Sequence, residues 1–191
     1  MKKIFLLLTV LSLASCKTAK DPLASPAERF VIEDLITLTS QEIKNRYPDA
    51  NIKEAIGIYD EGTEERPFCI LFPDTPNHLE ITWKDAGRTK INDIRFTDKG
   101  SWKSSTGIGI GTTINQLNEL NSKPISFYGF GWDYSGAVVW NDGKLENSNL
   151  RVFLAPEKEP KTKFYGDHII KASAEEIAAL NLKVQTLIFK N

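Results

Sequence analysis

The chain has 191 residues, 41% of them apolar and 26% charged, the make-up of a folded globular protein rather than a disordered one. Its length suits one ordinary domain or two small units sharing a core. With 24 basic against 25 acidic residues, it lacks the basic excess that nucleic-acid binding by counterion release requires.

The first element is a leader. Lys2 and Lys3 precede ten residues, Ile4 to Leu13, of which all but Thr9 and Ser12 are strongly apolar, and small residues follow. This is the pattern of a secretory signal peptide over 1–15, about half the roughly 20 residues needed to span a bilayer. The end of the leader, Leu13, Ala14, Ser15, Cys16, resembles the bacterial lipobox. That resemblance implies that Cys16 carries lipid and becomes the first residue of a cell-envelope lipoprotein. Several acyl chains give stable anchoring where one is marginal. The other reading of the same residues is an ordinary signal peptide with a free Cys16 thiol. Lys17 supplies no acidic retention signal after Cys16, and the resemblance therefore implies the outer membrane. Loss of the leader leaves 22 basic and 25 acidic residues, a net charge of −3. Residues 16–28, small, polar and containing Pro22 and Pro26, read as a lipidated tether.

A first unit is expected over 29–98. Phe30 to Ile32 reads as a short edge strand. Thr39 stands three residues before Glu42, the spacing of a capping box, so a helix starts there and runs to about Tyr47, where Pro48 stops it. Four strands follow. Ile52 to Tyr59 is the first, and an acidic loop with Asp60, Glu61, Glu64 and Glu65 leads through Pro67 to Phe68–Phe72. Leu79 to Lys84 alternates apolar and polar residues as a half-buried strand does, and Ile91 to Phe96 is the fourth. Cys69 lies in a segment apolar on both faces, which reads as a small buried hydrophobe rather than a nucleophile.

A second unit is expected over 105–191, after the polar connection Asp98–Gly107. Thr113 and Gln116 repeat the capping pair, Ile114, Leu117 and Leu120 share a helical face, and Pro124 ends the helix. Strands are expected at Phe127–Tyr134, Ala137–Trp140, Leu150–Leu154 and Val184–Phe189. Between the last two lies an insertion of nearly thirty residues, with a helix over 174–181 capped by Ser173 and Glu176. Cys69–Asp74 corresponds to Ala137–Asp142, Leu79–Trp83 to Leu150–Leu154, and Lys90–Phe96 to Lys183–Phe189, in the same order. The fold expected is therefore α+β: a tandem repeat of a short helix and a four-stranded antiparallel meander.

Residues 110–145 carry a glycine-threonine turn, a short helix, Lys123-Pro124, an aromatic-glycine strand and Asn141-Asp142-Gly143-Lys144-Leu145. This order resembles the unit of small envelope lipoproteins of the BamE/SmpA type. The tandem version resembles the β-lactamase inhibitor protein fold. The resemblance implies a fold and transfers no binding residues, because fold does not imply function.

Tyr128, Phe130, Trp132 and Tyr134 recur at a spacing of two, which on one strand puts them on one face with Gly129 and Gly131 leaving the other bare. They form either a core ladder, with the glycines admitting the 113–121 helix, or an exposed platform for a protein or sugar. His78 and His168 are the only histidines and lie outside any zinc-ligand spacing, and the acidic loop lacks the alternating oxygen pattern of a calcium site. There is no nucleophile elbow, phosphate loop or dinucleotide fingerprint. No metal, cofactor or catalytic residue is implied. The reading is a non-catalytic, lipid-anchored module that binds an envelope protein. The alternatives are a carbohydrate- or peptide-binding lipoprotein using the Trp132 face, and a hydrolase whose residues the sequence does not identify.

Overall fold

A computed structural model describes residues 29–191. The leader, Cys16 and the tether through residue 28 lie outside the described residues. Within them the chain is α+β, with three α-helices and an antiparallel sheet of six strands.

All three helices start with the same local device. At α1 (Ser40–Arg46) the Thr39 hydroxyl accepts the Glu42 amide at 3.3 Å while the Glu42 carboxylate accepts the Thr39 amide at 2.8 Å. Thr113 with Gln116 does the same for α2 (Ile114–Asn121), and Ser173 with Glu176 for α3 (Ala174–Ala179). Each box satisfies two amide donors that a helix start leaves without partners. Helix α2 ends on Ser122 in the left-handed region, φ 56°, two residues before Pro124.

The eight strands are β1 (Lys53–Tyr59), β2 (Glu64–Leu71), β3 (Leu79–Trp83), β4 (Ile91–Phe96), β5 (Ser126–Phe127), β6 (Val138–Val139), β7 (Leu150–Ala155) and β8 (Lys183–Lys190). The first four form an antiparallel meander. The second half is not a matching four-stranded sheet: β8 pairs with β4 and β7 with β8, giving the order β1-β2-β3-β4-β8-β7, while β5 and β6 form a separate hairpin.

One face of the sheet is buried. Leu79, Ile81 and Trp83 of β3, Ile91, Ile94 and Phe96 of β4, Val184, Leu187 and Phe189 of β8, and Leu150, Val152 and Leu154 of β7 share a single core with Ile43 of α1 and Leu117 of α2. Ile91 and Ile94 are three apart, as are Val184 and Leu187, which a strict period of two would put on opposite faces. A bulge reconciles them. Thr82 faces Asp93 while the next residue, Trp83, faces Ile91, so Asn92 is an extra residue in β4; Phe153 faces Thr186 while Leu154 faces Val184, so Gln185 is the extra residue in β8.

The other face is less fully buried. Phe68, Ile70, Phe153 and Ile188 are partly buried there among Arg66, Glu80, Arg95 and Arg151. Helix α1 is tied to the buried face through Glu54, which accepts from Ser40 Oγ at 2.6 Å and Lys44 Nζ at 2.8 Å. Further along β1 on that face, past the reach of α1, Ile56 and Ile58 are 65% and 69% exposed.

Two sequence expectations are corrected. Phe30–Ile32 is not an edge strand: Val31 makes a single bridge to Lys103, and Phe30 and Ile32 are buried. Phe30, Tyr47, Phe72 and Trp102 pack as a cluster of rings, so the polar connection is anchored by a buried tryptophan whose Nε1 donates to the Asn77 carbonyl at 2.8 Å. Strand β2 begins at Glu64 and runs through Pro67. A proline without N–H fits there because pairing with β3 starts only at Phe68.

Hydrogen bonds from Lys44 and then Ser40 hold the Glu54 carboxyl below the usual glutamate range. A depressed folded pKa contributes stability that is present above the unfolded value, about 4.3, and is lost as pH falls through the folded one. Glu54→Gln should therefore melt below the native protein near neutral pH, and the gap should close as the pH is lowered through the depressed folded pKa of Glu54. A gap that stays constant across thermal melts in that range would show that the carboxylate contributes no pH-linked stability.

Candidate functional site

The expected strand Phe127–Tyr134 is much shorter. Only Ser126 and Phe127 pair regularly, in β5; Tyr128 and Phe130 go on through single bridges to Ile169 and Tyr165. At Gly131, φ 83°, the chain leaves the extended path, and turns follow in which Ser135 donates to the Trp132 carbonyl and Ala137 to that of Tyr134. The spacing of two therefore stops having a common face. Phe130 turns inward, 6% exposed, with its ring 5.9 Å from that of Phe127. Tyr128, Trp132 and Tyr134 instead form a row with centroid separations of 5.7 and 5.2 Å. Trp132 is partly buried and its Nε1 donates to the Gly129 carbonyl at 2.8 Å; Tyr134, at the end of the row, is 57% exposed.

Gly129 serves a neighbour other than the helix. A Cβ there would sit 2.5 Å from the Gly166 carbonyl oxygen, so the absent side chain admits the inserted segment Phe164–His168, to which Gly129 and Phe130 donate backbone hydrogen bonds. The insertion thus sets the course of the aromatic row.

Tyr134 stands on the rim of a groove of about 680 Å³. Its apolar lining includes Val138, Trp140, Phe153 and Ile188, and its charged lining Arg151, Lys190 and Glu146. The groove exists because β6 meets β7 at one place. Ala137 bridges Phe153, and Leu154 donates to the Gly136 carbonyl at 2.8 Å. Gly136 has φ 71°, and a Cβ there would lie 2.0 Å from the Leu154 carbonyl oxygen, so only glycine fits this contact.

The loop Trp140–Leu145, whose Trp140 lines the groove, is held by Asn121, the last residue of α2, which is fully buried. Its Nδ2 donates to the carbonyls of Trp140 at 2.8 Å and Lys123 at 2.9 Å, its Oδ1 accepts the Leu145 amide at 3.1 Å, and its own carbonyl accepts the Lys144 amide at 2.8 Å. Sequence reasoning passes over Asn121, because an asparagine near a helix end reads as a stop signal. The one available hint is Gly143, whose missing Cβ would fall 2.2 Å from Asn121 Nδ2.

The remaining candidates stand apart. His168 is exposed, and His78 lies beside Asp74 and Asp98 at a shallow surface hollow. In the acidic loop, Arg66 pairs with both Asp60 and Glu64, and its hydrogen bond holds the Glu64 carboxyl below the usual range. Cys69 is buried, and burial pushes its thiol up to about 12, far from a reactive thiolate at neutral pH. Among the described residues no group of three or more His, Cys, Asp or Glu is placed to hold a metal ion, and no helix is long and apolar enough to cross a membrane.

No family model matches the chain, and no curated protein matches it. Among solved structures, the crystal structure of the uncharacterized protein yfeY from Escherichia coli is similar, with 15% identity, a TM-score of 0.48, and coverage of 82% of this chain and 91% of that one.

Asn121→Ala would leave the buried carbonyl of Trp140 and the buried amide of Leu145 without their partners. A loss of about 3 kcal/mol in unfolding free energy is expected, since an unsatisfied buried group costs roughly 1–3 kcal/mol. Urea unfolding of the variant measures it; a change within about 0.5 kcal/mol, the size typical of surface substitutions, would remove Asn121 from this role.

Proposed function

We propose that this protein is a lipid-anchored component of the cell envelope, held at the outer membrane through Cys16, that binds another envelope protein without catalysing a reaction. The leader and its lipobox-like end support the location. The observation that carries the binding reading is the row Tyr128, Trp132, Tyr134, which ends at an open groove lined by both apolar and charged side chains. Tyrosine and tryptophan give large, rigid contact area for little lost conformational freedom, which is why they dominate the energetics of protein interfaces. Ser148, the serine in the groove's lining, donates its hydroxyl to the Leu145 carbonyl, and neither a histidine nor a second carboxylate lines the groove beside it to assemble a hydrolytic site.

The same proposal includes the finer architecture: two copies of one unit, each a short helix and four strands. Its support is the register of two hairpins. Glu80–Arg95, Ile81–Ile94, Thr82–Asp93 and Trp83–Ile91 in the β3–β4 pair correspond, residue for residue, to Arg151–Ile188, Val152–Leu187, Phe153–Thr186 and Leu154–Val184 in the β7–β8 pair. The bulge falls at the same step in both. On this reading β5 and β6 are the counterparts of β1 and β2, and the groove is the gap where the second copy has parted between β6 and β7.

A photocrosslinking residue at position 134 of the full-length lipidated protein in cells tests the binding reading, with the same probe at Glu64 as a solvent control. The expected result is one recurrent protein adduct from 134 and none from 64. A folded, anchored protein that gives no adduct from 134 would remove the aromatic row as a partner site.

A further inference from the structure

Strand β1 is the outermost strand at one end of the six-stranded sheet, and its side away from β2 is open. Pro67, opposite Ile56, has no N–H to give β1, and the Phe72 amide donates to the Ala50 carbonyl at 2.7 Å on the β1 side. Both observations fix the same phase of the antiparallel ladder. The peptide groups of Lys53, Ala55, Gly57 and Tyr59 face β2, and those of Glu54, Ile56 and Ile58 face outward. Among the described residues no other main chain pairs with the outward groups. Sheets commonly guard such an edge with charges, prolines or bulges. The middle of β1 instead reads Ala55, Ile56, Gly57, Ile58, Tyr59, and both isoleucines are exposed.

We propose that the open edge of β1 pairs with the same edge of a second copy of this chain, antiparallel, with Gly57 on the two-fold axis. The strand is self-complementary in this register. A two-fold contact sets one residue against another and the second against the first, so Ile56 meets Ile58 of the second copy, and both carry the outward peptide groups that bond. The isoleucines of the two copies then form one apolar patch on the face that α1 leaves bare. On the opposite face Gly57 meets Gly57 at a non-bonded pair, where strands approach most closely, and Tyr59 meets Ala55. Small residues there make room for the tyrosine ring, which already lies across Gly57: a Cβ on that glycine would fall 2.8 Å from Tyr59 Cε2. At the ends, Lys53 of each copy lies toward the acidic turn Asp60–Glu61 of the other. Centring on Ile56 would set Glu54 against Ile58, and a parallel approach would bring like-charged ends together. The chain's own residues 17–28 suit the edge poorly, because Pro22 and Pro26 lack the N–H that pairing uses.

The test weighs the full-length lipidated protein in detergent by light scattering, over a range of detergent-to-protein ratios. The polypeptide mass should be twice that of one chain. Ile56→Lys and Ile58→Lys, each checked for native fold by circular dichroism, should return it to that of one chain, because a charge on an open edge blocks pairing. For the register, differently tagged copies carrying Ala55→Cys and Tyr59→Cys are expressed together. Oxidation should join the unlike copies by a disulfide and leave Ala55→Cys copies expressed alone unjoined, since the register holds the two Ala55 positions too far apart along the strand to bridge. A mass of one chain at every ratio, a doubled mass that survives both lysine variants, or a disulfide between Ala55→Cys copies would overturn the proposal. So would a second copy that binds only after deletion of residues 17–28, because the edge would then be covered by the chain itself. The groove beside β7 lies at the far end of the sheet from β1, so an adduct from position 134 and a doubled mass can each be found or lost without the other.

Discussion

The pairing of β4 with β8 is the constraint on which the rest of this protein depends. Four backbone-paired positions, Asp93–Lys190 through Phe96–Leu187, join the two halves of the chain into one sheet. Without them each half would expose an apolar face too small to shield itself, and an unpaired edge beside it. With them, one continuous core runs from Phe30 to Phe189. The bulges at Asn92 and Gln185 serve the same end, because they turn residues spaced by three onto the common face.

The junction also explains what the second half does with its remaining strands. Having committed β7 and β8 to the shared sheet, it ties β5 and β6 to that sheet through the Gly136 contact, the Ala137–Phe153 bridge and the buried Phe127, and holds the following loop through Asn121. The Gly136 contact and the Asn121 side chain fix the two ends of the segment that runs beside the groove. A glycine at positive φ against a carbonyl oxygen and a fully buried asparagine with every polar atom in use are both rigid devices, so the groove is a built feature rather than a packing defect.

Much of the fold is legible in the sequence where the signal is local. Thr39 with Glu42, Thr113 with Gln116 and Ser173 with Glu176 announce all three helices, because a capping box is complete within four residues. Strand β3 is legible from alternation within one run, whereas the bulge at Asn92 breaks that alternation in β4. The candidate site is legible only as composition. The spacing of Tyr128, Phe130, Trp132 and Tyr134 assumes an extended chain, and the path is instead bent by Phe164–His168, which lies more than thirty residues away and sends Phe130 inward. Asn121 and Gly136 are invisible for the same reason: their partners, Trp140 and Leu154, are near in space and distant in the chain. The pairing of β4 with β8 is likewise non-local, so periodicity alone divides the chain into two four-stranded sheets where there is one six-stranded sheet and a hairpin.

Strand β8 is the eighth in chain order and the fifth in space. Synthesis and assembly therefore run out of step. A chain emerging from its N-terminus can lay down β1 to β4 early, yet the open side of β4 waits for a strand that begins at Lys183, and β7 is made before the strand that seats it. Ordering such distant segments costs loop-closure entropy before any contact repays it, and sheets assembled this way fold slowly. Until Lys183–Lys190 arrives, the edge of β4 stays unpaired, which favours a chain kept extended until β8 has been made. Under the proposed reading of residues 1–15 as an export leader, that delay is compatible with passage through a membrane pore before folding.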